Sequence, residues 1–297
     1  MYACKFKGFV YFARMKFLKL ICIVILILHT SMSCRKNEND VNSLPFDSIP
    51  QVNHVLPLIN EISGLASSKI NPGHLWANED SGTPTQINLL KNDGTVVKQV
   101  FIKGTSNRDW EEMAIVNQDI YIAETGDNNQ VYPSYAFYRF AEPQASADTI
   151  FTVEKINFTY PDGSHDAEAF LVDADTKTIF IITKRDALSR IYKLDYPYAS
   201  VMVADFVGTV PYNGVTAATQ SADGKEILLR TYAGIYYYQR NPGQTIAQAL
   251  TNTYRSLSHS HELQGEAVCF ANDGKGYYTV SEKSIGSSVD LFYYPRK

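Results

Sequence analysis

Five times along the 297-residue chain a short acidic or small-residue motif precedes a brief apolar run, and this recurrence is what most restricts the fold. The copies read Ser63-Gly64-Leu65-Ala66, Glu111-Glu112-Met113-Ala114, Ala167-Glu168-Ala169-Phe170, Val215-Thr216-Ala217-Ala218 and Gly265-Glu266-Ala267-Val268. Between Gly64, Glu112, Glu168, Thr216 and Glu266 the steps are 48, 56, 48 and 50 residues, close to the period of propeller blades. The apolar runs that follow, Leu75-Trp76-Ala77, Ile120-Tyr121-Ile122, Ile179-Phe180-Ile181, Ile227-Leu228-Leu229 and Tyr277-Tyr278-Thr279, are too short for helices and rich in β-branched and aromatic residues. Such runs suit strands covered on both faces. The expectation is an all-β, five-bladed β-propeller of four-stranded antiparallel blades, with a six-bladed ring as the alternative.

Further strands follow in each copy. Gln86 to Leu90 and Val96 to Ile102 flank the hairpin signal Asn92-Asp93-Gly94. Ala136 to Phe140 and Lys155 to Tyr160 serve the second copy, and Arg190 to Leu194 and Val201 to Val207 the third. Gly234 to Gln239 serves the fourth, followed by a helical turn within Gln244 to Thr253. The fifth copy ends at Asp290 to Tyr294 one strand short, so Val52 to Ile59 is expected to supply its outer strand and close the ring. Aromatic content fits this picture, because 20 Tyr and 15 Phe can fill the wedges between twisted blades.

The first 33 residues read as a signal peptide. Lys5, Lys7, Arg14, Lys16 and Lys19 precede the apolar run Leu20 to Leu28, which is too short to span a bilayer; Met15 is an alternative start. Ser31-Met32-Ser33-Cys34 is similar to a bacterial lipobox, although Ser31 stands where Leu is usual; an ordinary secretory signal with an incidental cysteine is the competing reading. Residues 34 to 49 then form a polar tether behind a lipidated Cys34, and 50 to 297 the propeller domain. This reading makes the protein an exported bacterial lipoprotein of the outer membrane, periplasmic or surface-facing, held to the membrane by its lipid and monomeric. Cys4 and Cys22 leave with the leader and Cys269 lies alone in an apolar strand, so no disulfide framework is expected. Losing the five basic leader residues leaves 22 Lys and Arg against 31 Asp and Glu, a net charge of −9 that argues against nucleic acid as a partner.

In an up-and-down blade the start of the first strand and the end of the second share one rim. Glu112, Glu168, Thr216 and Glu266 open inner strands, while Asp80, Glu124 with Asp127, Lys184-Arg185, Arg230 and Glu282 end the returning ones. These residues predict an acidic basin at one mouth of the central channel that takes a small-molecule or envelope ligand. Glu112, Glu168 and Glu266, from three blades, form a candidate Ca²⁺ site. A salt-bridge ring involving Lys184, Arg185 and Arg230 would explain the same residues without a metal. Glu124-Thr125-Gly126-Asp127-Asn128-Asn129 lacks EF-hand spacing and reads as a tight turn using Gly126 and Asn128. His165, His259 and His261 are expected to be exposed loop residues, since no zinc motif accompanies them.

Through Glu61-Ile62-Ser63-Gly64-Leu65-Ala66, Asp109-Trp110-Glu111-Glu112-Met113-Ala114, Asp166-Ala167-Glu168-Ala169 and Gln264-Gly265-Glu266-Ala267 the sequence resembles the bacterial phytase-like ("esterase-like activity of phytase"), SdiA-regulated and SMP-30-like propellers. The resemblance implies a metal-binding role for Glu168 or Glu266 and, if the protein is an enzyme, a calcium-dependent hydrolase of phosphoesters, esters or lactones. A ligand- or metal-binding propeller without catalysis, and a scaffold for another envelope protein, are the other two functions compatible with the sequence.

Overall fold

The computed structural model describes residues 44–283 and 288–297. The leader and Cys34 lie outside these residues. Twenty-two strands form five sheets. Blade one contains β2 (Ile62–Ser67), β3 (His74–Glu79), β4 (Gln86–Lys91) and β5 (Val96–Ile102). Blade two contains β6 (Trp110–Val116), β7 (Asp119–Glu124), β8 (Tyr135–Ala141) and β10 (Glu154–Thr159). Blade three runs β11 (Ala167–Val172), β12 (Ile179–Thr183), β13 (Arg190–Leu194) and β15 (Asp205–Thr209). Blade four runs β16 (Val215–Gln220), β17 (Glu226–Thr231), β18 (Gly234–Gln239) and β19 (Arg255–Leu257), with the short helix α1 (Ile246–Ala249) before its last strand. Blade five combines β20 (Gly265–Phe270), β21 (Gly276–Ser281) and β22 (Asp290–Pro295) with β1 (Gln51–His54) from the start of the domain. The chain is a five-bladed β-propeller. No helix among the described residues is long and apolar enough to cross a membrane.

The closing strand is shorter than the sequence suggests. β1 pairs with β22 from Gln51↔Tyr293 to His54↔Asp290, after which Val55 donates its N–H to Val289 at 2.9 Å and Leu56 bridges to Thr95 of blade one. Residues 55 to 59 therefore cross between blades, and their apolar character reflects the interface they cover: Val55 and Ile59 are buried in the core between blades five and one. The expected strand from Val201 to Val207 is likewise divided. β14 (Met202–Val203) pairs in parallel with β10 of blade two, and the following β15 completes blade three. β9 (Thr149–Ile150) covers the outer edge of blade one in the same way. Both devices protect edges that would otherwise be open for pairing.

Cores form between blades rather than within one layer. Phe137 and Phe158 of blade two meet Phe170 of blade three, with the first two rings stacked 5.6 Å apart. Separate apolar clusters join blades one and two, three and four, and five and one. Between blades four and five the filling residue comes from outside the repeats: Phe46 lies against Tyr237, Phe270 and Tyr277, 4.9 Å from the last ring. The compact unit accordingly begins at Pro45 rather than at residue 50.

Each inner strand carries a break in register near its start, the feature that shapes the mouth of the channel. The residues passed over are Ser63, the pair Glu111 and Glu112, Glu168, Thr216 and Glu266. A bulge re-aims the side chain it carries, and here it does so five times around one axis.

Candidate functional site

The register places Glu111, not Glu112, in the position occupied by Glu168 and Glu266. Trp110 pairs with Glu124 and Met113 with Ile122, so Glu112 is the residue that continues down the strand. The expected trio of Glu112, Glu168 and Glu266 is therefore not brought together. Glu112 is fully buried, and its carboxylate accepts N–H groups from Met113 at 2.9 Å, Ala218 at 3.2 Å and Leu65 at 3.4 Å. Burial pushes its carboxyl well above the usual range, against the pull of those three donors. It ties together the inner strands of blades one, two and four.

Above this clamp two triplets of carboxylates meet. Oxygens of Asp80, Asp109 and Glu111 lie within 4.8 Å of one another, and so do oxygens of Glu111, Asp166 and Glu168. Glu111 belongs to both. Asp109 and Glu111 alternate on β6 and the segment leading into it, as Asp166 and Glu168 do at β11, so the two-residue period of extended chain turns both members of each pair to the same side. Both carboxylates of the first pair lie over Gly126: a Cβ there would be 2.1 Å from Glu111 Oε1 and 2.6 Å from Asp109 Oδ2. The pattern Asp-x-Glu, present in copies two and three alone, is the sequence signal for Asp109, Glu111 and Asp166, and aligning copies on the glutamate nearest the apolar run hides it.

The electrostatics differ between the triplets. Around Asp80, Asp109 and Glu111 no Lys or Arg forms an ion pair among the described residues. Burial, then the Asp80 charge, pushes Asp109 up to about 7, and burial followed by the Glu168 and Asp80 charges raises Glu111 well above the carboxylate range. The second triplet is partly compensated: Lys184 pairs with Glu168, and Arg185 Nε lies 2.6 Å from Asp166 Oδ2. Glu168 is nevertheless raised, chiefly by burial, and its Oε2 is buried without a hydrogen-bond partner. Lys184 also donates to the Tyr232 hydroxyl at 2.9 Å, which in turn donates to Glu266 Oε1 at 2.5 Å. Half-buried Glu282 accepts from Gln264 at 3.1 Å; desolvation and the neighbouring Glu266, Asp80 and Glu61 charges push it up to about 8.

Of the residues expected in the basin, Asp80, Glu168, Lys184, Arg185, Glu266 and Glu282 thus belong to it, while Glu124, Asp127 and Arg230 have other partners. Glu124 accepts from the Arg108 N–H at 2.6 Å and the Trp110 indole at 3.2 Å, fixing the loop that enters β6. Asp127 accepts from Val131, Tyr132 and the Tyr135 hydroxyl, so it organises the turn expected to use Asn128. Arg230 is 2% exposed and lies 3.0 Å from Glu262 in a buried pair behind the mouth. His165 is buried, with Nε2 3.0 Å from the Tyr192 hydroxyl and Nδ1 3.2 Å from Asp186, whereas His261 is exposed as expected. The metal-competent groups found among the described residues contain carboxylates alone, a donor set for a hard cation rather than zinc.

No protein-family model and no curated protein matches the sequence. Solved structures do match in fold. A luciferin-regenerating enzyme aligns over 83% of this chain and 95% of its own at 8% identity, with a TM-score of 0.49. A nidogen/laminin complex aligns over 74% and 72% at 12% identity, TM-score 0.46. Hydrazine synthase of Kuenenia stuttgartiensis aligns over 80% and 71% at 11% identity, TM-score 0.43. All three likenesses have TM-scores below 0.5. They carry no argument about chemistry, and the phytase-like or SMP-30-like membership expected from the motifs rests on the motifs alone.

Proposed function

We propose that this propeller is an exported, lipid-anchored envelope protein that binds a hard divalent cation of the Ca²⁺ type at its channel mouth, and through it a ligand. The observation that carries the reading is the environment of Glu111. Its carboxylate is 7% exposed, stands between Asp80 and Asp109 on one side and Asp166 and Glu168 on the other, and has no donor or ion-pair partner among the described residues. Like charges held this close, out of water, favour either protons or a cation. Oxygen-only ligands suit Ca²⁺, which accepts six to eight of them in flexible geometry. Asp80, Asp109 and Glu111 would hold the ion, whose charge would replace the protons that burial and the neighbouring charges favour on Asp109 and Glu111.

Binding is favoured over hydrolysis by the state of the neighbouring groups. Burial is the largest influence on both Tyr232 and Lys184; it helps to raise Tyr232, while the Glu168 and Glu266 charges outweigh it at Lys184. Both remain protonated at neutral pH, so neither offers a nucleophile or base. Anchoring rests on Ser31-Met32-Ser33-Cys34 and the leader before it.

The test is a thermal melt with Ca²⁺ and with chelator. At free Ca²⁺ one hundred times the dissociation constant the folded state gains about 2.7 kcal/mol, and Glu111→Gln abolishes most of that gain. A wild-type melt indifferent to both additions overturns the proposal.

A further inference from the structure

We infer that the basin takes two divalent cations side by side, with Glu111 bridging them. The inference deepens the cation-binding reading above and rests on it. The first position is bounded by Asp80, Asp109 and Glu111, and the second by Glu111, Asp166 and Glu168; in each the three oxygens lie within 4.8 Å of one another. A carboxylate has two oxygens and can serve two ions at once, which is how neighbouring metals share a ligand at the roughly 3.5–4 Å separation of two-metal sites.

An acidic cluster alone would not establish the second position. Glu168 and Asp166 do more than add charge. Glu168 is 4% exposed and Asp166 is 1% exposed, and Glu168 keeps one buried oxygen, Oε2, without any partner. A buried carboxylate oxygen left unbonded is costly, and a cation satisfies it. Lys184 takes Glu168 through Oε1, leaving Oε2 available, while Asp166 Oδ1 accepts the Asp127 N–H at 2.8 Å and Oδ2 has only the Arg185 Nε contact.

This arrangement orders the two events. The first position has no side-chain cation to displace and fills first. The second competes with Lys184 and Arg185, fills at higher concentration, and draws those side chains away from Glu168 and Asp166 as it does so.

Isothermal titration of the full chain in detergent with Ca²⁺ reads the stoichiometry directly. Two equivalents are expected, the first tighter by at least tenfold. Asp80→Asn weakens the tighter event at least tenfold and preserves the other. Glu168→Gln removes the weaker event, and Lys184→Met strengthens it about tenfold. A chelator melt of each variant verifies folding, and Glu168→Gln decides the matter if Lys184→Met does not fold. One equivalent in both wild type and folded Glu168→Gln overturns the second cation while leaving single-cation binding intact; no heat from any of them overturns both.

Discussion

Glu112 Oε2 accepts the Ala218 N–H at 3.2 Å, joining the inner strand of blade two to that of blade four across the channel. With Leu65 N–H on its other oxygen, this one side chain links three blades at the axis. Glu112→Ala leaves these buried donors unsatisfied and is expected to cost about 3 kcal/mol. Glu112→Gln, which retains one carbonyl acceptor, costs less. Denaturant titration measures both, and a loss below about 0.5 kcal/mol for the alanine variant removes Glu112 from its role as a clamp.

Gly126→Ala addresses the basin while sparing the scaffold. The added methyl meets the ends of Glu111 and Asp109, flexible groups that can swing away, so the fold survives but the carboxylates separate. At least a tenfold loss of Ca²⁺ affinity is expected in the titration, with the chelated melting temperature nearly unchanged. Unaltered affinity contradicts the placement of the ion.

The pH dependence follows from carboxyls whose folded pKa values are raised, Asp109 to about 7 and Glu282 to about 8. The folded state binds more protons than the unfolded chain between about pH 4 and these values, so stability falls as pH rises through that window. In chelator the melting temperature is expected to drop from pH 5 to pH 8. Saturating Ca²⁺ takes the place of the protons and flattens the decline. A chelated melt that rises steadily toward pH 8 contradicts this account.

Phe46→Ala empties the wedge between blades four and five and should cost about 3 kcal/mol, lowering Tm by roughly 6–12 °C in a domain of this size. Deletion of residues 35 to 43, before the compact unit, leaves Tm nearly unchanged. Equal losses from the two changes would show that Phe46 has no special place in closure.

On the proposed lipid anchoring, Cys34→Ala is expected to shift the protein from the membrane to the soluble fraction, because acylation of Cys34 would be what holds it there once the leader is cleaved. Fractionation of cells expressing each form measures the shift. Continued detergent-dependent partitioning of the alanine variant contradicts lipid anchoring.

The blades were legible in the sequence because every copy repeats the same strand code, and their number followed from counting. The finer placement was not, for two physical reasons. A register break that passes over two residues in β6 and one in β11 is invisible to spacing, so Glu112 stood where Glu111 belongs. Arg230 and Glu124 end their strands beside the mouth, yet partners contributed by other segments, Glu262 for one and Arg108 and Trp110 for the other, turn them away from it. Charge at a strand end can be read from sequence; which neighbour claims it depends on the assembled ring.

The seat of Phe46 also fixes where force enters the molecule. Phe46 bridges to Arg296, whose guanidinium lies 4.7 Å from its ring, before the chain reaches the ladder between β1 and β22. Tension between an anchored N-terminus and a ligand gripped at the mouth would load this aromatic plug first and the closing strand second. The ring would then open between blades five and one, the joint that β1 closes, leaving the carboxylates of blades two and three the last part of the protein to feel the pull.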